Sequence, residues 1–282
     1  MRSLFLTSSS NSSSISELQN NIYLEWAMAK LTSFQTKPLL TTIDITVEEL
    51  LRRYIAGERS FERVNLCEVD LHNARLHGVD LNQADLRQAR LGKTDFSQAS
   101  FRRTDLSEAI LWGTDLSEAD LYEAILREAD LSGAKLSHAN LERSNLSKAI
   151  LGGANLVHAR LADANLFEAD LRPTSDRITD LGHAILSNAD LCYANLSGAV
   201  LYRANLDGAK LCRAHLNRTL QQGMKPTDLS EASLQGADLS YADLTGAILR
   251  KANLRDADLT GAVLTDVDLT GVTMPDGSVY TI

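Results

Sequence analysis

Side chains able to do chemistry recur in this chain at intervals of five and stand in register at intervals of twenty. Glu118, His138 and His158 form one such series, two imidazoles and a carboxylate of the types that bind transition metals. Cys192 and Cys212 form another. If residues twenty apart are neighbours in adjacent layers, at the ~4.8 Å of paired strands, the ends of the Glu118–His158 column lie about 10 Å apart. Metal bonds near ~2 Å need ligands that converge, so the column reads against a metal. The two cysteines fall within reach of a disulfide, and a reducing compartment makes a free thiol pair the expected state. No Ser/His/Asp triad, Gly-rich phosphate loop or Cys-x-x-Cys occurs, and no cofactor is implied. The abundant carboxylates fall at repeat positions that account for them without acid–base catalysis.

The period itself sets the elements. From Phe61 to Leu216 every fifth position is Leu or Phe almost without exception, a small residue (usually Ala) stands two before it, and Asp or Asn mostly lies between. Ala119-Asp120-Leu121 and Ala154-Asn155-Leu156 are typical. The pattern resumes in a shifted register at Leu229 and runs to about Met274. Neither a helix nor a flat strand repeats every five residues. A chain that turns a corner every five residues does, and four sides close a coil of about twenty that stacks into a solenoid. The Leu of each side points inward, with Leu111, Leu116, Leu121, Leu126, Leu131, Leu136, Leu191 and Leu196 as core, and the Ala packs inward beside the corner.

This pattern resembles the pentapeptide repeat family, with its A(D/N)LXX consensus, over residues 61–274. The resemblance implies an all-β right-handed quadrilateral β-helix. Further stretches, Ile110 to Leu136, Ala169 to Gly182, Leu206 to Ala214, Glu48 to Phe61 and Met274 to Tyr280, are similar to a branch of the family tied to heterocyst differentiation in cyanobacteria. That resemblance implies a non-enzymatic scaffold acting on a protein partner, the differentiation regulator HetR. The alternative within the family is an acidic rod that mimics DNA and binds a type II topoisomerase, often dimerised through a C-terminal helix. No such helix is readable after Met274, and a monomer is expected.

The formal net charge of −9 argues against binding a phosphate backbone. No apolar stretch approaches a membrane span, Leu4-Phe5-Leu6 is too short for a signal-peptide core, and the chain reads as cytoplasmic. Residues 1–44 form a non-repeating extension, Ser/Asn-rich and disordered in expectation over Ser8–Ser14, with a short helix predicted over Leu18–Lys30. Within a lead-in at 45–60, Thr46 and Glu49 fit a capping box, Leu50, Leu51 and Tyr54 give helical spacing, and Gly57 gives a stop. The predicted helix over 47–56 covers the open end of the first coil. Residues 275–282 form a terminal turn and tail. Segments 172–180 and 217–228 interrupt the solenoid (61–274) and read as projecting loops.

Two surface readings complete the expectation. Counting by twenty gives a column of mostly alternating charge, Arg103, Glu123, Arg143, Asp163, His183 and Arg203, suited to solubility and register. A face bearing Gly92, Gly113, Gly133, Gly152 and Gly153 reads as bare backbone with Trp112 at its centre and Ile110 and Ile150 nearby. With Arg172, Asp176 and Arg177 of the first loop, Ile110, Trp112 and Ile150 are the candidate partner-binding residues.

Overall fold

Each five-residue unit is a turn, and most are anchored by an Asp or Asn that precedes the core Leu. Asp80 Oδ1 accepts from the Asn82 backbone N–H at 3.0 Å, and Leu81 O accepts from Ala84 N–H at 3.1 Å. The third turn residue, Gln83, has a positive φ of 58°. The same arrangement recurs along the chain, as at Asn145 with Ser147 (3.1 Å) and Asp258 with Thr260 (2.8 Å). A short polar side chain can reach the amide two residues on, which is why Asp or Asn fills this position.

The units bond between coils, not along them. Leu81 N–H donates to Ser100 O and Gln83 N–H to Arg102 O on one side, while Asp80 N–H donates to Arg59 O on the other. Four parallel ladders result, beginning Ser60–Asp80, Asn65–Asp85, Asp70–Arg90 and Arg75–Asp95. These are the four sides of the coil. The rod is filled by Leu and Ala, and all eight core leucines named above are fully buried. Phe96 and Phe101 replace Leu on adjacent sides and meet edge to face at 5.0 Å. Where Thr replaces the inner Ala it is satisfied: Thr94, Thr104 and Thr114 are buried and donate to the carbonyls of Leu71, Leu81 and Leu91 at 2.5, 2.6 and 2.9 Å, which removes the cost of a buried hydroxyl.

The computed structural model describes residues 42–218 and 225–281. The predicted helix over 18–30 and the Ser-rich stretch lie outside the described residues. A strand β1, Ile43–Asp44, pairs in parallel with β2, Val64–Asn65, and so extends the second ladder by one layer. Helix α1, Val47–Ile55, follows at once. Thr46 Oγ1 accepts from Glu49 N–H at 3.2 Å, the first half of the predicted capping box. The Glu49 carboxylate turns instead to Arg52, at 2.7 Å. Leu50 is fully buried and Tyr54 Oη donates to His77 O at 2.9 Å, so α1 rests on the first coil. At the far end a hairpin turns through Pro275–Gly277, with Thr273 and Val279 paired antiparallel and Met274 N–H donating to Ser278 O at 2.7 Å. No helix among the described residues is long and apolar enough to cross a membrane.

Both interruptions leave the rod at one corner, after the third ladder. Ile150 pairs with Asp170, twenty residues on, but Asn155 pairs with Asp180, twenty-five on. Asn195 pairs with His215, but Val200 pairs with Asp228, twenty-eight on. The first loop therefore inserts five residues and keeps the five-residue period while shifting the stacking. Each loop re-enters through a buried Thr. Thr179 Oγ1 accepts from Gly153 N–H at 2.8 Å and donates to Arg172 O at 3.1 Å; Thr227 Oγ1 accepts from Gly198 N–H at 2.8 Å and donates to Asn217 O at 3.0 Å.

Candidate functional site

The corner after the third ladder carries the candidate residues, and the structure divides them into two groups. Ile110, Asp130, Ile150 and Asp170 follow one another up the ladder, so the two isoleucines are separated by an acidic layer. Trp112 turns away from Ile150. Its Nε1 occupies the space a Gly92 side chain would need, 2.7 Å from the position of that absent Cβ. Its ring packs on His72 with centroids 5.5 Å apart, and Lys93 Nζ lies 4.7 Å from the ring centre. Trp112 keeps 38% exposure and Ile110 39%. Together with Asp70, His72, Arg90 and Gly92 they line a shallow open recess.

The second group is the first loop, which lies on the rod and does not project as the sequence suggests. Arg177 Nη1 donates to Gly133 O at 3.2 Å, and the Arg177 Cβ and Thr174 Oγ1 each stand 2.9 Å from where a Gly153 Cβ would be. Arg172 O closes to 3.0 Å over Gly152. The apparently bare backbone at 133, 152 and 153 is thus covered by the chain's own loop, and at 92 by Trp112. Arg172 is bound to Asp170 at 2.7 Å, where burial pushes the Asp170 carboxyl up but hydrogen bonds from Arg172 hold it below its ordinary range. Asp176 accepts from Thr174 at 3.0 Å. Ile178, exposed at 43% in the same loop, is an apolar side chain the period-based reading passes over because it stands outside the repeat.

The five-residue insertion also redraws the columns. The charged series holds as far as Asp163, with Arg103 to Glu123 at 2.7 Å and Arg143 to Glu123 at 3.7 Å. His183 and Arg203 do not continue it. His183 stacks on His158, and Arg203 pairs with Glu231 at 2.8 Å. Cys192 and Cys212 are neighbours with Cα atoms 4.6 Å apart, as counting by twenty requires, but they are disulfide-bonded and not free thiols. Cys192 is buried instead of facing water. The cysteines therefore give no support to a reducing compartment. Among the described residues no group of three or more His, Cys, Asp or Glu converges on a point as a metal site would.

The repeat geometry defines a pentapeptide repeat rod with one decorated corner, and eight copies of the pentapeptide repeat model match the chain, from residues 60–83 to 237–274. The chain belongs to the pentapeptide repeat family, whose members fold as right-handed quadrilateral β-helices. It is similar to HetL, a pentapeptide repeat protein involved in heterocyst differentiation regulation from the cyanobacterium Nostoc sp. Strain PCC 7120, at 62% identity and TM-score 0.83, covering 84% of this chain and 100% of HetL. QnrB1, a plasmid-mediated fluoroquinolone resistance protein, aligns at 24% identity and TM-score 0.35, over 70% of this chain and 91% of its own. A pentapeptide repeat protein of the Arabidopsis thaliana thylakoid lumen aligns at 31% identity and TM-score 0.29, over 39% and 72%. No functionally curated protein matches the chain.

Proposed function

We propose that the protein is a non-enzymatic, monomeric protein-binding rod that regulates heterocyst differentiation in the manner of HetL, by contact with HetR. The observation that carries this reading is the identity of 62% across the whole length of HetL. A generic solenoid consensus accounts for the core positions but not for an identity this high over the full length of HetL. The contact surface on this reading is the corner after the third ladder, where Ile110, Trp112, Ile150, Arg172, Asp176 and Arg177 lie along about 14 Å of rod, three layer spacings. Trp112 is fixed in place by Gly92, His72 and Lys93, so burying it against a partner costs little side-chain freedom. Helix α1 serves as the lid of the N-terminal coil.

The test is calorimetry of HetR with wild-type protein and with Trp112→Ala, and of a type II topoisomerase in parallel. Loss on the order of 2 kcal/mol of HetR binding, the range of an aromatic anchor, is expected. Equal affinities at equal melting temperature remove this corner from the interface, and binding to the topoisomerase alone replaces the HetR reading with the DNA-mimic one.

A further inference from the structure

The turns that follow the second ladder carry a column of aromatic rings with one cation set into it. Phe167, Tyr193, Arg213 and Tyr241 stand in four successive layers, above Asn165, Asp190, Lys210 and Asp238 of that ladder, along about 14 Å of rod. Phe167 meets Tyr193 edge to face at 5.6 Å. The Arg213 guanidinium lies 6.0 Å from the Tyr193 ring centre and 5.0 Å from that of Tyr241, and the Tyr241 ring covers Gly261, 2.7 Å from where its Cβ would be. Tyr193 and Tyr241 are 48% and 57% exposed, more than any other Phe, Tyr or Trp among the described residues. The fold does not call for these side chains. Tyr193, Arg213 and Tyr241 have φ of 61°, 56° and 57°, the left-handed position that Gly261 fills in the next coil. Cys192 and Cys212 immediately precede Tyr193 and Arg213, and their disulfide ties the two turns together, so these two rungs are in place before anything binds.

Arg213 differs from the other arginines that lie over rings. Arg53, Arg102 and Arg203 rest on Phe61, Tyr122 and Tyr202 and are bonded to Glu58, Asp120 and Glu231. Arg59 rests on Tyr54 and donates to the carbonyls of Tyr54 and Glu58. Among the described residues, Arg213 has its two tyrosine rings and no carboxylate or carbonyl. The carboxylates along this side are engaged elsewhere: Glu168 lies 3.6 Å from Lys148, Asp190 lies 3.8 Å from Lys210, and Asp238 accepts from Ser240 N–H at 2.9 Å. We propose that this column is a docking surface for an acidic, proline-containing segment of a partner protein in the polyproline II conformation. The unpaired guanidinium fork is complementary to a carboxylate, and exposed tyrosines are the surface on which proline rings pack. The spacing fits as well. Tyr193 and Tyr241 stand two layers apart, about 9.6 Å, and a polyproline II helix returns to the same face every three residues, about 9.3 Å. Prolines three apart therefore meet both tyrosines in register, and the side chain of a glutamate between them reaches Arg213.

The test is a nuclear magnetic resonance titration of the full chain, disulfide intact, with the end-blocked peptide Ala-Pro-Glu-Ala-Pro-Ala. Saturable shifts with a Kd below about 1 mM are expected, centred on Tyr193, Arg213 and Tyr241. Replacing the peptide's Glu by Gln, or making Arg213→Gln, should weaken binding about tenfold or more, the worth of one hydrogen bond between charged groups. Tyr241→Asn keeps a residue tolerant of the left-handed turn and weakens it too. Trp112→Ala, on another side of the rod, leaves it unchanged. Arg213 is exposed, so Arg213→Gln should melt with wild type. No saturable shift below about 1 mM, equal binding of the Glu and Gln peptides, or binding that survives Arg213→Gln overturns the proposal. So does sedimentation showing a dimer that Arg213→Gln dissociates, since a second copy of the chain would then cover the column.

Discussion

The residue that explains most of this chain is the Asp or Asn that precedes most of the core leucines. Its side chain is a backbone partner, so much of the acidity is structural and little of it stands free for chemistry. Asp258 is held below its ordinary range by hydrogen bonds from the Thr260 side chain and backbone, and Asp268 likewise by Thr270. At Asp243 burial pushes the carboxyl up, but hydrogen bonds from Thr245 and Asn217 outweigh it. A carboxyl lowered on folding contributes stability that is complete above its unfolded pKa, about 4, and is lost as pH falls through the lower folded value. Thermal melts should therefore begin to fall below about pH 4. At neutral pH Asp258→Asn should melt with wild type while Asp258→Ala melts lower; equal melting of all three would show that the Asx bond contributes nothing. The consensus makes this residue legible from sequence, because a short acceptor two before an amide has one obvious use. The left-handed third turn residue is not legible in the same way. It is filled by Arg, Glu, Gln, His and Tyr as well as Gly, so no composition signal marks it.

At the scale of elements, the loops are where sequence and structure part. A period of five fixes each coil side, but an insertion of five leaves the period intact and moves every later residue by one side. Counting by twenty therefore places His183 with Arg103, while the structure places it on His158. The second loop breaks the period and announces itself. Loop length was readable; loop placement depends on the room left beneath it, which is a matter of which glycines lie one coil down. Gly153 and Gly236 separate these effects. Both have positive φ, 67° and 63°, but only Gly153 has the loop above it, whereas nothing lies within 4 Å of a Gly236 Cβ. Gly236→Ala should cost about 1 kcal/mol, the left-handed penalty alone. Gly153→Ala must also displace Arg177 and Thr174 and should cost about 1–3 kcal/mol more, the usual range for overpacking, with faster proteolysis within 172–178. Equal costs in urea denaturation would mean that the loop does not rest on this corner.

As a whole molecule the rod is one layer thick in every direction but its axis, so each coil depends on the one above and the one below. The two ends are finished differently. α1 buries Leu50 against the first coil, while at the other end Leu259, Leu264 and Leu269 of the last full coil remain only half-buried. This makes the cost of a core lesion depend on where it falls along the axis, which would not be so in a globular core. Leu131 and Leu264 carry the same residue at the same repeat position, yet Leu131 is fully buried between intact layers. Leu131→Asp places an unpaired charge between stacked leucines and should cost at least about 4 kcal/mol, in the range reserved for buried unsatisfied charge. Leu264→Asp can turn its carboxylate to water at the rod's end and should cost about 1–2 kcal/mol, no more than the burial of part of one Leu. Hydrogen exchange should show the second lesion confined to the last coil, from about residue 254 onward, with protection at Leu131 and its neighbours unchanged. Equal losses in the two variants, or loss of protection throughout in Leu264→Asp, would mean that the rod unfolds as a single cooperative body and that its ends are as tightly held as its middle.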